Sequence, residues 1–171
     1  MRFITAYLTS ICLLTLVTAC DRQASAIAGI HEVEQVDGDK IEALVKASSR
    51  PYVLVNFYST YCKPCIKEIP DLIKLKNNPA SEVEVHFISL DEPDVRESML
   101  AGFLTRHSMN FRSFHYDPAQ VETYVRKVYP KWNRTIPLNI LYDNTGRVVE
   151  ITGMTDPREI ELIISKDQSF R

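Results

Sequence analysis

No block of lysine or arginine occurs in this sequence, and its formal charge is only -2, so nothing in it would track the phosphates of a nucleic acid. Nucleic acid is not an expected partner. Internal repeats and low-complexity tracts are also missing, which leaves one ordinary globular domain as the reading of 171 residues. Cysteine is scarce. Of the four, Cys12 and Cys20 fall in the first twenty residues, and only Cys62 and Cys65 remain beyond them. A four-coordinate zinc site needs two further ligands, and His31, His86, His107 and His115 show no paired spacing. Neither a metal nor an organic cofactor is expected.

What is present begins with the N-terminus. Arg2 is followed by an uncharged run from Phe3 to Ala19, and the segment closes Leu16-Val17-Thr18-Ala19-Cys20. A positive start, an apolar middle and small residues before a break describe an export signal. The end resembles the lipobox of bacterial lipoproteins, which implies that Cys20 is the acylated first residue of the mature protein. An ordinary cleaved signal and an uncleaved anchor are the alternatives, the run being at the lower edge of what spans a bilayer. The expected division is a signal over 1–19, a lipid-anchored tether over 20–29 and a domain over 30–171.

The domain reads as alternating strands and helices. Ile30 to Val36 is expected as a short first strand, and Asp37 as the cap of a helix carrying Ile41, Leu44 and Val45. Tyr52 to Tyr58 is a β-branched and aromatic run, and Val83 to Leu90 is another strong strand. Between them lies a helical pattern, with Pro70 expected to kink it. Helical spacing recurs over Asp94 to His107 and over Ala119 to Val128, around an alternating stretch from Phe111 to Tyr116. Ile136 to Tyr142, a turn at Asp143-Asn144-Thr145-Gly146 and Arg147 to Thr152 form a hairpin. Asp156-Pro157 then starts a last helix with Ile160, Ile163 and Ile164. The order predicts parallel crossovers first and an antiparallel pair at the end, hence a mixed α/β sheet covered by helices.

Cys62-Lys63-Pro64-Cys65 stands where the buried strand passes, through Ser59-Thr60-Tyr61, into the first long helix. Two cysteines with this spacing at a strand-to-helix junction point to redox chemistry. Cys62 would meet the unpaired N–H groups and the positive dipole end of the helix, which favour a thiolate. Lys63 adds positive charge beside it, unless its side chain turns into water, and Pro64 stiffens the loop.

These residues, with Thr135-Ile136-Pro137 ahead of the hairpin, make the chain resemble the thioredoxin family over roughly residues 30 to 165. Asn56-Phe57-Tyr58-Ser59-Thr60-Tyr61-Cys62 and Glu68-Ile69-Pro70 resemble its extracytoplasmic, membrane-tethered branch of TlpA/ResA type, linked to cytochrome c maturation. The resemblance implies a thioredoxin fold with a helix-strand insertion before the cis-proline strand. It implies that Cys62 attacks, that Cys65 resolves, and that Pro137 is a cis-proline beside the pair. Ile136 would offer backbone groups to an extended substrate, flanked by Tyr61, Lys63 and Pro64, and Gly153 matches a glycine after the return strand.

Two departures follow. Tyr61 replaces a tryptophan, and Asn56 stands where cytosolic thioredoxins bury a proton-moving acid. Glu68, three residues after Cys65, is a substitute for that acid, or else a solvated helix carboxylate. The activity so implied is a thiol:disulfide oxidoreductase, reducing protein disulfides on the extracytoplasmic side. It would act as a lipid-anchored monomer recharged by a membrane thiol donor. A disulfide-donating oxidase or isomerase, and a partner-binding module without turnover, are the competing readings. Trp132, Phe111, Phe114 and Tyr116 are expected as packing residues, and His86 as a strand residue facing solvent or a helix.

Overall fold

The computed structural model describes residues 33–170. The export signal, the tether and Cys20 lie outside the described residues, as do Ile30, His31, Glu32 and Arg171. Six strands form one mixed sheet: β1 (Val33–Val36), β2 (Tyr52–Tyr58), β3 (Val83–Ser89), β4 (Ser113–Tyr116), β5 (Leu138–Asp143) and β6 (Val148–Thr152). Their order across the sheet is β1-β4-β3-β2-β5-β6. The pairs β1–β4, β4–β3 and β3–β2 are parallel, and β2–β5 and β5–β6 are antiparallel. This is the mixed sheet expected of a thioredoxin fold, with β4 as the inserted strand. β4 does not hang on an edge; it separates β1 from β3.

The helices are α1 (Gly38–Lys46), α2 (Lys63–Asn77), α3 (Pro93–Val95), α4 (Ala101–Arg106), α5 (Val121–Val128) and α6 (Pro157–Ser169). Caps fix where several begin. Asp37 accepts the Lys40 amide for α1, and Asp156 accepts those of Arg158 and Glu159 for α6, with Pro157 in the first turn. The single helix expected over 94–107 is instead α3 and α4 joined by a π turn, Arg96–Leu100. The strand expected from Phe111 starts at Ser113. α2 continues through Pro70, whose ring sits on the exposed face where the lost N–H costs least.

Strand alternation sorts the core into two layers. Tyr52, Leu54 and Tyr58 of β2 pack with Ile69, Leu72 and Leu75 of α2, Phe103, Leu104 and Ile160. Val53, Val55 and Phe57 face the other way, onto Ile41, Val45, Tyr124, Val125 and Trp132. Both faces of β2 are therefore apolar, as its near-continuous hydrophobic sequence requires. Asn56 is the exception, and it sits on the α2 side.

His86 is a strand residue as expected, but it does not face solvent: the ring is buried on β3, edge-on to Phe114 at 5.6 Å. Glu84 lies 3.3 Å from Nε2, but the contact is not aligned as a hydrogen bond. Burial pushes the imidazole down to about 4, the charge of Glu84 opposing and that of Lys76 assisting. A folded-state value below the unfolded one means that this contribution to stability is whole above pH ~6.5 and is lost as the pH falls towards 4. The loss should be on the order of 3 kcal/mol. Urea midpoints at pH 7 and 4.5 should differ accordingly, and His86→Phe, which can keep the contact with Phe114, should narrow that difference.

Candidate active site

The turn that ends β2 carries the site. Leu90 N donates to Tyr58 O at 2.8 Å, and Cys62 N to Ser59 O at 3.1 Å, which folds Ser59-Thr60-Tyr61 back towards the helix. Thr60 is fastened from outside the turn: its amide and hydroxyl both donate to Asp91 Oδ1, at 2.9 and 3.1 Å. Cys62 then occupies the N-cap of α2, and its Sγ accepts the Cys65 amide at 3.3 Å. This is the place of a capping oxygen, so the sulfur receives hydrogen-bond donation and the positive end of the helix together.

Cys62 and Cys65 are joined in a disulfide, their Cα atoms 5.3 Å apart. Cys65 is fully buried, while Cys62 keeps 8% of its surface in contact with solvent. The outer sulfur is therefore the one a partner can reach. Around it Tyr61, Lys63 and Pro64 are exposed. Ile136 is half-buried and packs against the cluster that contains both cysteines, and the Ile136–Pro137 bond is cis. A side chain at Gly153 would stand 4.0 Å from Pro137 O, so this glycine follows the proline strand closely. A groove of about 200 Å³ continues from Pro137 past Leu138, Gly153, Thr135, Trp132 and Tyr129. Trp132 is buried, its indole N–H donating to Thr135 O at 3.0 Å.

Glu68 is not a solvated helix carboxylate. It is 3% exposed, one turn after Cys65 on the sheet-facing side of α2. Asn56 Nδ2 donates to its Oε1 at 2.7 Å, Asn139 Nδ2 reaches both oxygens at 3.3 and 3.2 Å, and Thr155 N donates to Oε2 at 2.9 Å. Asn56 and Asn139 are cross-strand partners in β2 and β5, and Asn56 Nδ2 also donates to Asn139 Oδ1 at 2.8 Å. Burial raises the Glu68 carboxyl above its ordinary value, with the hydrogen bonds from Thr155, Asn139 and Asn56 working against it. The net result is a buried acid that holds its proton to higher pH than an exposed glutamate. Asn56 cannot itself move a proton; it donates a hydrogen bond to this buried acid.

Asn139 and Thr155 are absent from the expectations drawn from sequence, and so is Asp91. Asn139 did leave a signal: it interrupts an otherwise apolar strand, at the same depth as Asn56 in β2.

Residues 31–166 match the AhpC/TSA family. The chain belongs to that family. Among curated relatives, the thiol-disulfide oxidoreductase ResA of Bacillus cereus is 29% identical over 135 residues, covering 78% of this chain and 72% of the relative. ResA of Halalkalibacterium halodurans is 26% identical over 127 residues, covering 72% and 66%. The chain thus spans about two thirds to three quarters of the length of these relatives. Among solved structures, a thioredoxin-related protein from Neisseria meningitidis superposes with a TM-score of 0.56 at 22% identity, over 72% of this chain and 90% of that one. StoA from Bacillus subtilis gives 0.52 at 17% identity, over 69% and 85%. The fold of this AhpC/TSA member is the thioredoxin fold, and with its closed Cys62–Cys65 pair and ResA-type relatives it is a thiol-disulfide oxidoreductase.

Proposed function

We propose that this oxidoreductase reduces protein disulfides outside the cytoplasm, Cys62 attacking and Cys65 resolving, tethered to a membrane through a lipid on Cys20. The observation that carries the chemistry is the Cys62 sulfur at the N-cap of α2, bonded to a fully buried Cys65. In the reduced protein the Cys62 thiolate attacks one sulfur of a substrate disulfide, forming a mixed disulfide and releasing the other substrate sulfur as a thiolate. Cys65 then gives up its proton and attacks Cys62 Sγ. The Cys62–Cys65 bond re-forms and the second substrate sulfur leaves, so the substrate gains two electrons. Glu68, buried one turn after Cys65 on α2, takes the Cys65 proton in this reading. Tyr61, Lys63 and Pro64, with the backbone of Ile136 and Pro137, form the surface against which an extended substrate segment lies.

A membrane thiol donor returns the pair to its dithiol form. The resemblance of the N-terminus to a lipoprotein signal supports the tether, and that of the Cys62 region to the TlpA/ResA branch supports the reducing direction. The same resemblance makes apocytochrome c a candidate substrate.

Equilibrating the domain in graded thiol buffers and counting free thiols tests the direction. A potential near thioredoxin's, about -270 mV, is the expected result; one near -120 mV would make the protein a disulfide donor instead. Labelling of cells with a fatty acid, lost on Cys20→Ser, tests the tether.

A further inference from the structure

Asp91 is wholly buried, yet it is in no ion pair with a lysine or arginine among the described residues. Its carboxylate accepts three hydrogen bonds and donates none: Thr60 N and Thr60 Oγ1 to Oδ1, and Ser89 Oγ to Oδ2 at 2.8 Å. Such a group is costly to bury, and a neutral side chain would hold a turn as well. Its position gives the charge a use. Thr60 is two residues before Cys62, so the carboxylate lies within roughly 12 Å of the Cys62 Cα.

The charge is already felt locally. Burial, and behind it the charge of Asp91, push the Tyr58 phenol far above its ordinary value, and that hydroxyl is buried with no hydrogen-bond partner among the described residues. The other ionisable groups around Cys62 are differently placed. Lys63 and Glu92 are exposed and screened by water, and Glu68 is one turn further along α2, bonded to Asn56, Asn139 and Thr155.

We infer that Asp91 is a positioning residue for Cys62: it fastens the turn that presents the sulfur and sets a fixed negative charge behind it, keeping the pair reducing. The inference rests on Cys62 being the attacking sulfur. A buried negative charge disfavours the thiolate and hence the reduced form, in opposition to the helix N-terminus, so the two together set the poise. Without Asp91 the helix would act alone and the pair would become more oxidising.

Asp91→Asn separates charge from geometry. The amide oxygen still accepts from Thr60, and the amide N–H donates to Ser89 Oγ once that hydroxyl turns. The Cys62 thiolate, followed by the pH dependence of alkylation, should titrate lower by on the order of one unit. The reduction potential should rise by up to the matching tenfold in equilibrium constant, about 30 mV. Thr60→Val disturbs the same turn and leaves the charge, so its potential should stay at the wild-type value. Asp91→Ser, also neutral, gives the same reading if the asparagine variant does not fold. An unchanged potential in the neutral variants, or an equal shift in Thr60→Val, would overturn the inference. Mapping the alkylated cysteine in wild-type protein shows separately whether Cys62 is the attacking sulfur, so an error there is not mistaken for an error about Asp91.

Discussion

Cys65→Ser should convert the protein into a trap: mixed disulfides through Cys62 accumulate, while turnover falls by on the order of 10³-fold or more. Resolution needs a second sulfur within bonding reach of the first, and among the described residues Cys65 is the only other cysteine. Serine keeps the size of the side chain but cannot form the second disulfide. Cys62→Ser should lose turnover equally and trap nothing, because the remaining thiol at Cys65 is fully buried. Non-reducing gels of cells expressing each variant, with the adducts identified by mass, check the pair of outcomes. Adducts on Cys62→Ser in place of Cys65→Ser would reverse the assigned roles. Unchanged partner capture in both, with no covalent species, would favour a binding module over an enzyme.

Glu68→Gln should slow resolution by about 10²-fold and flatten its pH dependence. The wild-type rate should rise with pH as Glu68 loses its proton and becomes able to accept one from Cys65, at a value above the ordinary carboxylate range. Stability carries its own signature. A carboxyl whose folded-state pKa is raised stabilises the protein fully below its unfolded value, and that contribution is lost as the pH rises through the folded value. Glutamine has no such dependence. It does carry a constant cost, because its NH₂ must face one of the three donors that now serve the carboxylate, about 1–3 kcal/mol for a buried unsatisfied pairing. The stability advantage of wild type over the variant should therefore shrink as the pH is raised, measured by denaturant midpoints of the oxidised proteins. Rapid-mixing measurement of mixed-disulfide release, with and without the substitution, checks the kinetic part.

These substitutions probe residues of unequal legibility. Cys62 and Cys65 announce themselves by spacing and by their place between a β-branched strand and a helical pattern. Glu68 is visible only as an acid on a helix, and whether that helix turns it to water or to the sheet depends on how α2 is seated. Seating α2 over β2 and β5 puts Glu68 among Asn56, Asn139 and Thr155, three residues from three other parts of the chain. Asp91 is hidden for the same reason: its ligand Thr60 is distant in sequence and becomes a neighbour through the parallel pairing of β2 with β3.

Local information settled what local forces control. β-branched and aromatic runs, with alternation in some, marked the strands, three- and four-residue spacing marked the helices, Asp37 and Asp156 marked helix starts, and Cys62-Lys63-Pro64-Cys65 pointed to the chemistry. The sheet order was decided elsewhere. Nothing in Ser113–Tyr116 dictates that β4 should lie between β1 and β3, and nothing in Asp94 to His107 marks a π turn. Those follow from which apolar faces can be covered at once, a property of the assembled layers. The buried acids at 68 and 91 belong to that second class as well, since burying a carboxylate is tolerable only where donors from separate segments converge on it.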